Sequence, residues 1–135
     1  MKSVLYKINP RVQNDELNAL FRSAWLEHSD TDFGFTLERC LLYICAFLED
    51  DTSKEQLVGF VKVAWNGGFH GFLLDTTVHS SVQHQGIGGE LVRQAINEAR
   101  ARGIHWLHVD FEAQLEPFYW GCGFGATRAG LLRLN

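Results

Sequence analysis

The stretch Gln83-His84-Gln85-Gly86-Ile87-Gly88 decides the fold class, because it joins a strand pattern to an amphipathic helix pattern. Residues 70–79 have the pattern of a strand. The apolar residues that follow share one helical face and end before Gly103: Ile87, Leu91, Val92, Ala95, Ile96 and Ala99. The first turn of such a helix has free amides and a partial positive charge, and glycines let an anion approach the backbone. The stretch therefore predicts a phosphate-binding turn, with an ordinary ligand-free glycine turn as the alternative.

The rest of the chain predicts five further strands and a second set of helices. Before the turn we expect a strand at 3–8 that Pro10 ends, then a helix from an Asn14 cap through Trp25. Residues 28–36 predict a loop or a broken second helix. The next strands are expected at 42–48 and 56–65, with turns at 49–54 and 66–68. After the helix we expect a strand at 104–111, a short helix at 115–120 and a final strand at 124–134.

This order predicts a mixed α/β fold around one sheet. The strands at 42–48, 56–65 and 70–79 form a meander, which implies antiparallel pairing. The strand–helix–strand unit over 72–111 implies one parallel step. A length of 135 residues fits a single domain over 1–135.

Composition excludes several classes of protein. The net charge is −4 with no basic run, so a nucleic-acid partner is not expected. The longest apolar run, 41–48, is too short to span a membrane, and the start lacks the features of a signal peptide, so we expect a cytoplasmic protein. Cys40, Cys45 and Cys122 form no Cys-x-x-Cys pair, so we expect buried, reduced thiols and no metal cluster.

Two motifs resemble those of the GNAT superfamily of N-acetyltransferases. Residues 78–88 are similar to its Gln/Arg-x-x-Gly-x-Gly/Ala motif after a strand. Residues 118–124, Phe-Tyr-Trp-Gly-Cys-Gly-Phe, resemble its Phe-Tyr-x-x-x-Gly-Phe motif. The two cover about residues 72–134 in the expected order. Members commonly have proline where Ser80 stands and a basic residue where His84 or Gln85 stands. Without that basic residue, backbone amides would provide most of the binding of the cofactor diphosphate.

The resemblance implies a fold, a cosubstrate and a mechanism. The fold is a mostly antiparallel sheet in which one parallel pair of strands splays apart, flanked by helices. Acetyl-CoA would lie in the splay, and its acetyl group would pass directly to a primary amine of a small molecule or peptide. The Val78 backbone amide would polarise the thioester, and Tyr119 would protonate the departing thiolate. The residues implied in cofactor binding are Thr76, Thr77, Val78, Gln83, His84, Gln85, Gly86, Ile87, Gly88, Gly89 and Tyr119. A homodimer is also a family-level expectation.

The residue that takes the amine's proton is left open. Asp75 and Glu112, on or just after the splayed strands, are the main candidates, and His79 and His108 are others. Each is interpreted first as an ordinary surface group. Cys122 as a nucleophile is disfavoured, because the end of a helix would raise its pKa. The loops at 25–36 and 67–71 are expected to shape the acceptor pocket, and Glu27, His28, Asp30 and Asp32 form either an acidic rim or a solvated loop.

Two alternatives compete with an enzyme. A non-catalytic acyl-CoA-binding or sensing module would keep the glycine turn without a working amine pocket. An interaction protein could use an aromatic surface that includes Trp25, Trp65, Trp106 and Trp120, although aromatic residues at this frequency are expected in the core.

Overall fold

The sheet has five strands in the order β1-β2-β3-β4-β5, and all neighbours are antiparallel except the parallel pair β4–β5. The computed structural model describes residues 3–135. The strands are β1 Ser3–Ile8, β2 Leu42–Glu49, β3 Glu55–Trp65, β4 His70–Val78 and β5 Trp106–His108. The mixed α/β class, the meander and the single parallel step are confirmed.

Helices cover both faces of this sheet. They are α1 Asn14–Ala24, α2 Gly34–Arg39, α3 Ile87–Ala101 and α4 Glu116–Gly121, with single 3-10 turns at Ser80–Val82 and Ala113–Leu115. Successive strand residues point to opposite faces. Phe60 accordingly packs with α1 residues Leu17 and Leu20, whereas Val61 packs with α3 residues such as Leu91. No helix among residues 3–135 is long and apolar enough to cross a membrane.

Gly59 of β3 lets α3 approach the sheet closely. A Cβ at this position would lie 2.9 Å from Leu91 Cδ1, 3.0 Å from Ala46 Cβ and 3.2 Å from Ile87 Cγ2. Interiors packed at this density do not accept an extra methyl group without displacement. The glycine therefore sets how closely the start of α3 approaches the first half of β3 and the last residues of β4, which pair there.

The start of α1 differs from the prediction. The helix begins at Asn14, and the carboxylate of Glu16 accepts a hydrogen bond from the Gln13 amide at 3.1 Å. The Asn14 side chain instead accepts from the Phe33 amide at 2.9 Å and donates to Asp32 at 3.0 Å. Asn14 therefore holds the beginning of α2. For residues 28–36, which predicted a loop or a broken second helix, the structure has a loop that leads into α2.

The predicted final strand at 124–134 is wrong. This segment contains no strand, and Leu131, Leu132 and Leu134 are exposed. A strand with one buried face needs apolar residues at every second position and a neighbouring strand to pair with. Leu131 and Leu132 are adjacent and so cannot share one face, and no strand among residues 3–135 pairs with the outer edge of β5. The predicted strand at 104–111 is likewise reduced to the three residues of β5.

The tryptophans are not core residues, contrary to expectation. Trp25, Trp65, Trp106 and Trp120 are all at least 38% exposed, and Trp106 reaches 66%. The core is built from smaller apolar residues and phenylalanines, which have no ring nitrogen that needs a hydrogen-bond partner.

Candidate active site

The parallel strands β4 and β5 separate after the third of the nine residues of β4. Their last paired residues are Phe72 and His108, and β4 continues from there to Val78. Asp75 has a positive φ of 60°, and the register with β3 shifts between Phe60 and Lys62. Such a bulge bends a strand. Beyond Phe72, no strand among residues 3–135 pairs with this edge of β4, and we call the gap between residues 73–78 and the chain that follows β5 the cleft.

The Val78 amide points into this cleft. The next amide, that of His79, donates to the Val58 carbonyl of β3 at 2.8 Å. Because successive backbone groups of a strand point to opposite sides, the N–H of Val78 is directed away from β3. The Gln83 side chain donates to the Val78 carbonyl at 3.1 Å, which ties the turn to the end of the strand. Gln83 thereby fixes the end of β4, where the sequence predicts an oxyanion role for the Val78 amide.

The turn from Ser80 to Gly88 carries the start of α3 to the mouth of the cleft. Gly86 is the N-cap residue, with a φ of 86°, and His84 also has a positive φ of 63°. The amides of the first helical turn have no partner inside the helix. The Ile87 side chain is buried in the core, so its amide is the group available to a ligand. Gly86 and Gly88 flank this amide, and the turn presents the arrangement that favours an anion.

The two sequence motifs meet at Gly88. A Cβ there would lie 3.5 Å from the Phe118 ring and 3.6 Å from Val78 Cγ2. The first turn of α3, the end of β4 and the start of α4 are thus in contact. Residues 83–89 and 118–124, separated in sequence, border one cleft.

A carboxylate in the first turn of α3 is paired with a nearby arginine. Glu90 lies in the first turn of α3 and accepts hydrogen bonds from the Arg93 and Gln94 side chains. Arg93, followed by Gln94, lowers the pKa of Glu90 to about 2. Its negative charge is therefore paired with Arg93 rather than free to repel a second anion.

Tyr119 places a hydroxyl against the cleft edge of β4. The residue is 7% exposed, and its hydroxyl lies 3.4 Å from Thr76 Oγ1. Its ring stacks on Phe111 and meets Phe118 edge-on, with centroids 4.8 and 4.9 Å apart. Burial raises the pKa of Tyr119. The hydroxyl consequently keeps its proton at neutral pH, which is the protonation state that a general acid needs.

The opposite wall of the cleft is joined to β4 by contacts that the sequence did not indicate. Trp25, just after α1, donates from its indole nitrogen to Thr77 Oγ1 at 3.2 Å, and the Ser80 amide donates to Ser23 Oγ at 3.3 Å. Thr77 is buried and its side chain faces α1. Of the residues implied in cofactor binding, Thr77 thus turns its side chain to α1, and its backbone groups point toward its β3 partner Phe60 rather than into the cleft. Trp25 itself is 47% exposed.

The sequence model of the Acetyltransferase (GNAT) family matches residues 11–124. The chain belongs to this family. It is an N-acetyltransferase. An uncharacterized N-acetyltransferase, ycf52, of Pyropia yezoensis is 24% identical over 124 residues, which are 91% of this chain and 71% of that protein.

Solved acetyltransferase structures share the fold. A GNAT family acetyltransferase from Streptococcus pneumoniae TIGR4 has a TM-score of 0.76 at 20% identity, covering 98% of each chain. Aminoglycoside N-acetyltransferase AAC(6')-Iy in complex with CoA has a TM-score of 0.75 at 14% identity, covering 100% of this chain and 96% of that chain. At these identities the similarity concerns the fold alone.

Each candidate proton acceptor of this acetyltransferase already has a protein partner. Asp75 forms an ion pair with Lys62 at 3.0 Å. Glu112 is exposed and accepts from the Gln114 side chain. The two histidines are paired as well: His79 Nδ1 accepts from the Ser81 amide at 3.1 Å, and His108 lies 2.8 Å from His70.

The proposed acidic rim is largely built into the loop between α1 and α2. Asp30 pairs with Arg22, and His28 Nε2 lies 2.7 Å from the Asn18 side chain. Asp32 accepts from the Asn14 side chain and the Gly34 amide, which together lower its pKa. These three residues shape the loop of the acetyltransferase, which favours the interpretation as a loop over that of an open acidic rim.

The three cysteines are free but differ in burial. Cys45 is fully buried, as expected, whereas Cys40 and Cys122 are only partly buried. Burial raises the pKa of Cys122, so the unreactive thiol expected there has burial as its cause rather than the helix dipole.

Proposed function

We propose that this acetyltransferase moves the acetyl group of acetyl-CoA to a primary amine of a small molecule or peptide by direct attack. The observation that carries the proposal is one cleft bordered by three groups: the β4 edge with the inward Val78 amide, the first turn of α3, and the buried Tyr119 hydroxyl. Each matches a different part of the thioester and its carrier.

The residues present fit a CoA thioester. The β4 edge from 73 to 78 offers amides and carbonyls to the amide groups of a pantetheine arm. The amides of Ile87, Gly88 and Gly89 offer an anion site for the diphosphate. The pairing of Glu90 with Arg93 removes the nearest repulsive charge. The solved neighbour AAC(6')-Iy is a CoA complex by its own description, which agrees with this choice of donor.

Two groups of the chain act on the reacting atoms of the thioester. Acetyl-CoA supplies an acetyl group activated as a thioester. The Val78 amide holds the carbonyl oxygen and stabilises the negative charge that develops on it as the amine nitrogen bonds to carbon. Tyr119 donates its proton to the sulfur as the carbon–sulfur bond breaks. Both groups are held by packing before the reaction begins, so little reorganisation is needed.

Asp75 and Glu112 are the carboxylates that we propose for removing the amine's proton, directly or through water. Asp75 sits at the bulge of β4, where Lys62 holds its side chain. Glu112 follows β5 and leads into the 3-10 turn before α4. Both elements border the cleft, whereas His79 is occupied in capping the turn at Ser80.

Tyr119→Phe tests the proposal. Removal of the proton donor is expected to lower kcat by about a hundredfold or more, with acetyl-CoA affinity changed less than about twofold. Tyr6→Phe is the matched control, because Tyr6 is a half-buried tyrosine of β1, the strand at the far edge of the sheet from β5. Turnover is measured as thiol release with a broad panel of amines. Equal turnover in the two variants would remove Tyr119 from the acid role.

The same panel separates an enzyme from a sensor. Family membership favours the enzyme. Acetyl-CoA is expected to raise the melting temperature, and at least one amine is expected to release thiol. Tight binding of acetyl-CoA without release across the panel would instead favour the non-catalytic alternative.

A further inference from the structure

The end of α1 is fastened to β4 on both sides of Val78. The indole nitrogen of Trp25 donates to Thr77 Oγ1 at 3.2 Å, one residue before Val78. The Ser80 amide donates to Ser23 Oγ at 3.3 Å, two residues after Val78. Ser23 lies in the last turn of α1, and Trp25 is the C-cap residue of that helix. The helix therefore holds the chain at two points that enclose the residue proposed to contact the thioester carbonyl.

Helix α1 is a rigid support for these contacts because its inner face is buried. Leu17 and Leu20 are almost fully buried and belong to one core cluster with Phe60 of β3. The Trp25 amide donates to the Phe21 carbonyl at 2.8 Å, which closes the last turn of the helix. Densely packed interiors move little. The indole of Trp25 therefore starts from a fixed backbone.

The Thr77 hydroxyl carries this connection on to the bulge of β4. An indole nitrogen can only donate, so Thr77 Oγ1 accepts from Trp25 and keeps its own proton for the Asp75 carbonyl, 2.9 Å away. Thr77 is 2% exposed, so water has little access to replace either bond. Asp75 has a φ of 60°, which is unfavourable for a residue with a Cβ. The two hydrogen bonds, together with the ion pair to Lys62 at 3.0 Å, therefore hold Asp75 in this conformation.

The bulge sets the direction of the groups that follow it. Thr76 Oγ1 lies 3.4 Å from the Tyr119 hydroxyl, whereas the Thr77 side chain bonds to Trp25 beside α1. Val78 comes next, with its amide directed into the cleft. We propose that Trp25 and Thr77 are positioning residues of the acetyl transfer, which hold the bulge so that the Val78 amide and the Tyr119 hydroxyl keep their places along β4. This inference rests on the proposed function, in which these two groups act on the thioester.

Two substitutions break the connection at different points. Thr77→Val keeps the branched shape and removes the hydroxyl, so both hydrogen bonds are lost. Trp25→Phe removes only the indole donor and leaves the bond from Thr77 to Asp75. A misplacement of about 1 Å can cost as much as a hundredfold in rate. We expect Thr77→Val to lower kcat by about tenfold or more and Trp25→Phe to lower it less, measured as thiol release with the fastest amine of the panel.

Thr77→Ser is the conservative variant. Serine keeps the hydroxyl that both hydrogen bonds need, so this variant should regain most of the kcat that Thr77→Val loses. Trp65→Phe is the matched control for Trp25→Phe. Trp65 is 41% exposed against 47% for Trp25, and it pairs with Gly71 at the end of β4 away from Val78. Its replacement should leave kcat unchanged.

Binding in the absence of an amine gives a second measurement, by calorimetry with acetyl-CoA and with CoA. Only acetyl-CoA has a thioester carbonyl for the Val78 amide, and one such hydrogen bond is expected to favour it by about two- to tenfold. Thr77→Val and Trp25→Phe should reduce this preference while CoA affinity changes less than about twofold. A general loss of structure would weaken both ligands equally, so the ratio separates positioning from folding. Far-UV circular dichroism checks that each variant is folded, and Trp25→Phe decides the question if Thr77→Val is not.

Four results would overturn the positioning role: native kcat and native ligand preference in both variants, equal weakening of acetyl-CoA and CoA, a Thr77→Ser variant as slow as Thr77→Val, or an equal effect of Trp65→Phe. Failure of the proposed function looks different, because it appears in the native protein. That protein would then bind neither ligand, or bind acetyl-CoA and release no thiol with any amine of the panel.

Discussion

The left-handed backbone of Gly86 makes the turn before α3 sensitive to a single methyl group. Its φ is 86°, and a Cβ added there would meet nothing within 4 Å, so Gly86→Ala changes backbone energy without a clash. The left-handed conformation costs an L-residue roughly 1–2 kcal/mol. Part of this is offset, by about 0.4–1 kcal/mol, because alanine lowers the entropy of the unfolded chain. The net loss of stability is about 1 kcal/mol. For 135 residues this corresponds to a fall in melting temperature of about 3–4 °C.

Gly89→Ala is the matched control with the opposite sign. Gly89 lies in the first turn of α3 with a negative φ, and a Cβ there also meets nothing within 4 Å. Alanine in a helix is more stable than glycine by up to about 1 kcal/mol. Melting without acyl-CoA, followed by circular dichroism, should therefore fall for Gly86→Ala and rise for Gly89→Ala. Shifts of the same sign in both variants would refute the left-handed turn at position 86.

Three further predictions concern packing, charge and reactivity. Gly59→Ala should destabilise the fold by about 1–3 kcal/mol through overpacking against α3, while Gly125→Ala, with nothing within 4 Å, should be close to neutral in chemical denaturation. Arg93 holds the pKa of Glu90 at about 2, below its ordinary 4.5. Between these two pH values the unfolded chain therefore binds more protons than the folded chain does. Stability from Glu90 is thus complete above about pH 5 and is lost as the pH falls toward 2; acid titration of unfolding should show a shallower slope for Glu90→Gln. Burial raises the pKa of Cys45 to about 12, so this thiol should not react with a thiol reagent at neutral pH until the protein unfolds; rapid labelling in the native state would contradict that.

The sequence predicted most reliably those features that depend on residues close to one another along the chain. The apolar face of α3 and the glycines at its start predicted a strand-to-helix turn, and this turn is present with Gly86 in a positive-φ conformation. The segment 115–120 predicted a short helix, and α4 at Glu116–Gly121 is that helix, which carries Tyr119. Both features depend on residues within a few positions of one another, so a single sequence can display them.

Features that depend on distant partners were not predictable. The exposed segment at 124–134 has apolar content like that of a strand, but pairing depends on a neighbour that sequence pattern does not specify. The hydrogen bond from Trp25 to Thr77 joins residues 52 positions apart. Asn14 has the side chain of a helix cap and was predicted as one, yet tertiary contact with Phe33 decided its role.

The central claim is that one cleft binds the CoA thioester through the β4 edge and the first turn of α3. A crystal structure with CoA tests it most directly. We predict the diphosphate within hydrogen-bonding distance of the amides of Ile87, Gly88 and Gly89, and the thiol between Val78 and the Tyr119 hydroxyl. CoA bound with its diphosphate away from this turn, or with its thiol outside the separation of β4 and β5, would contradict the claim.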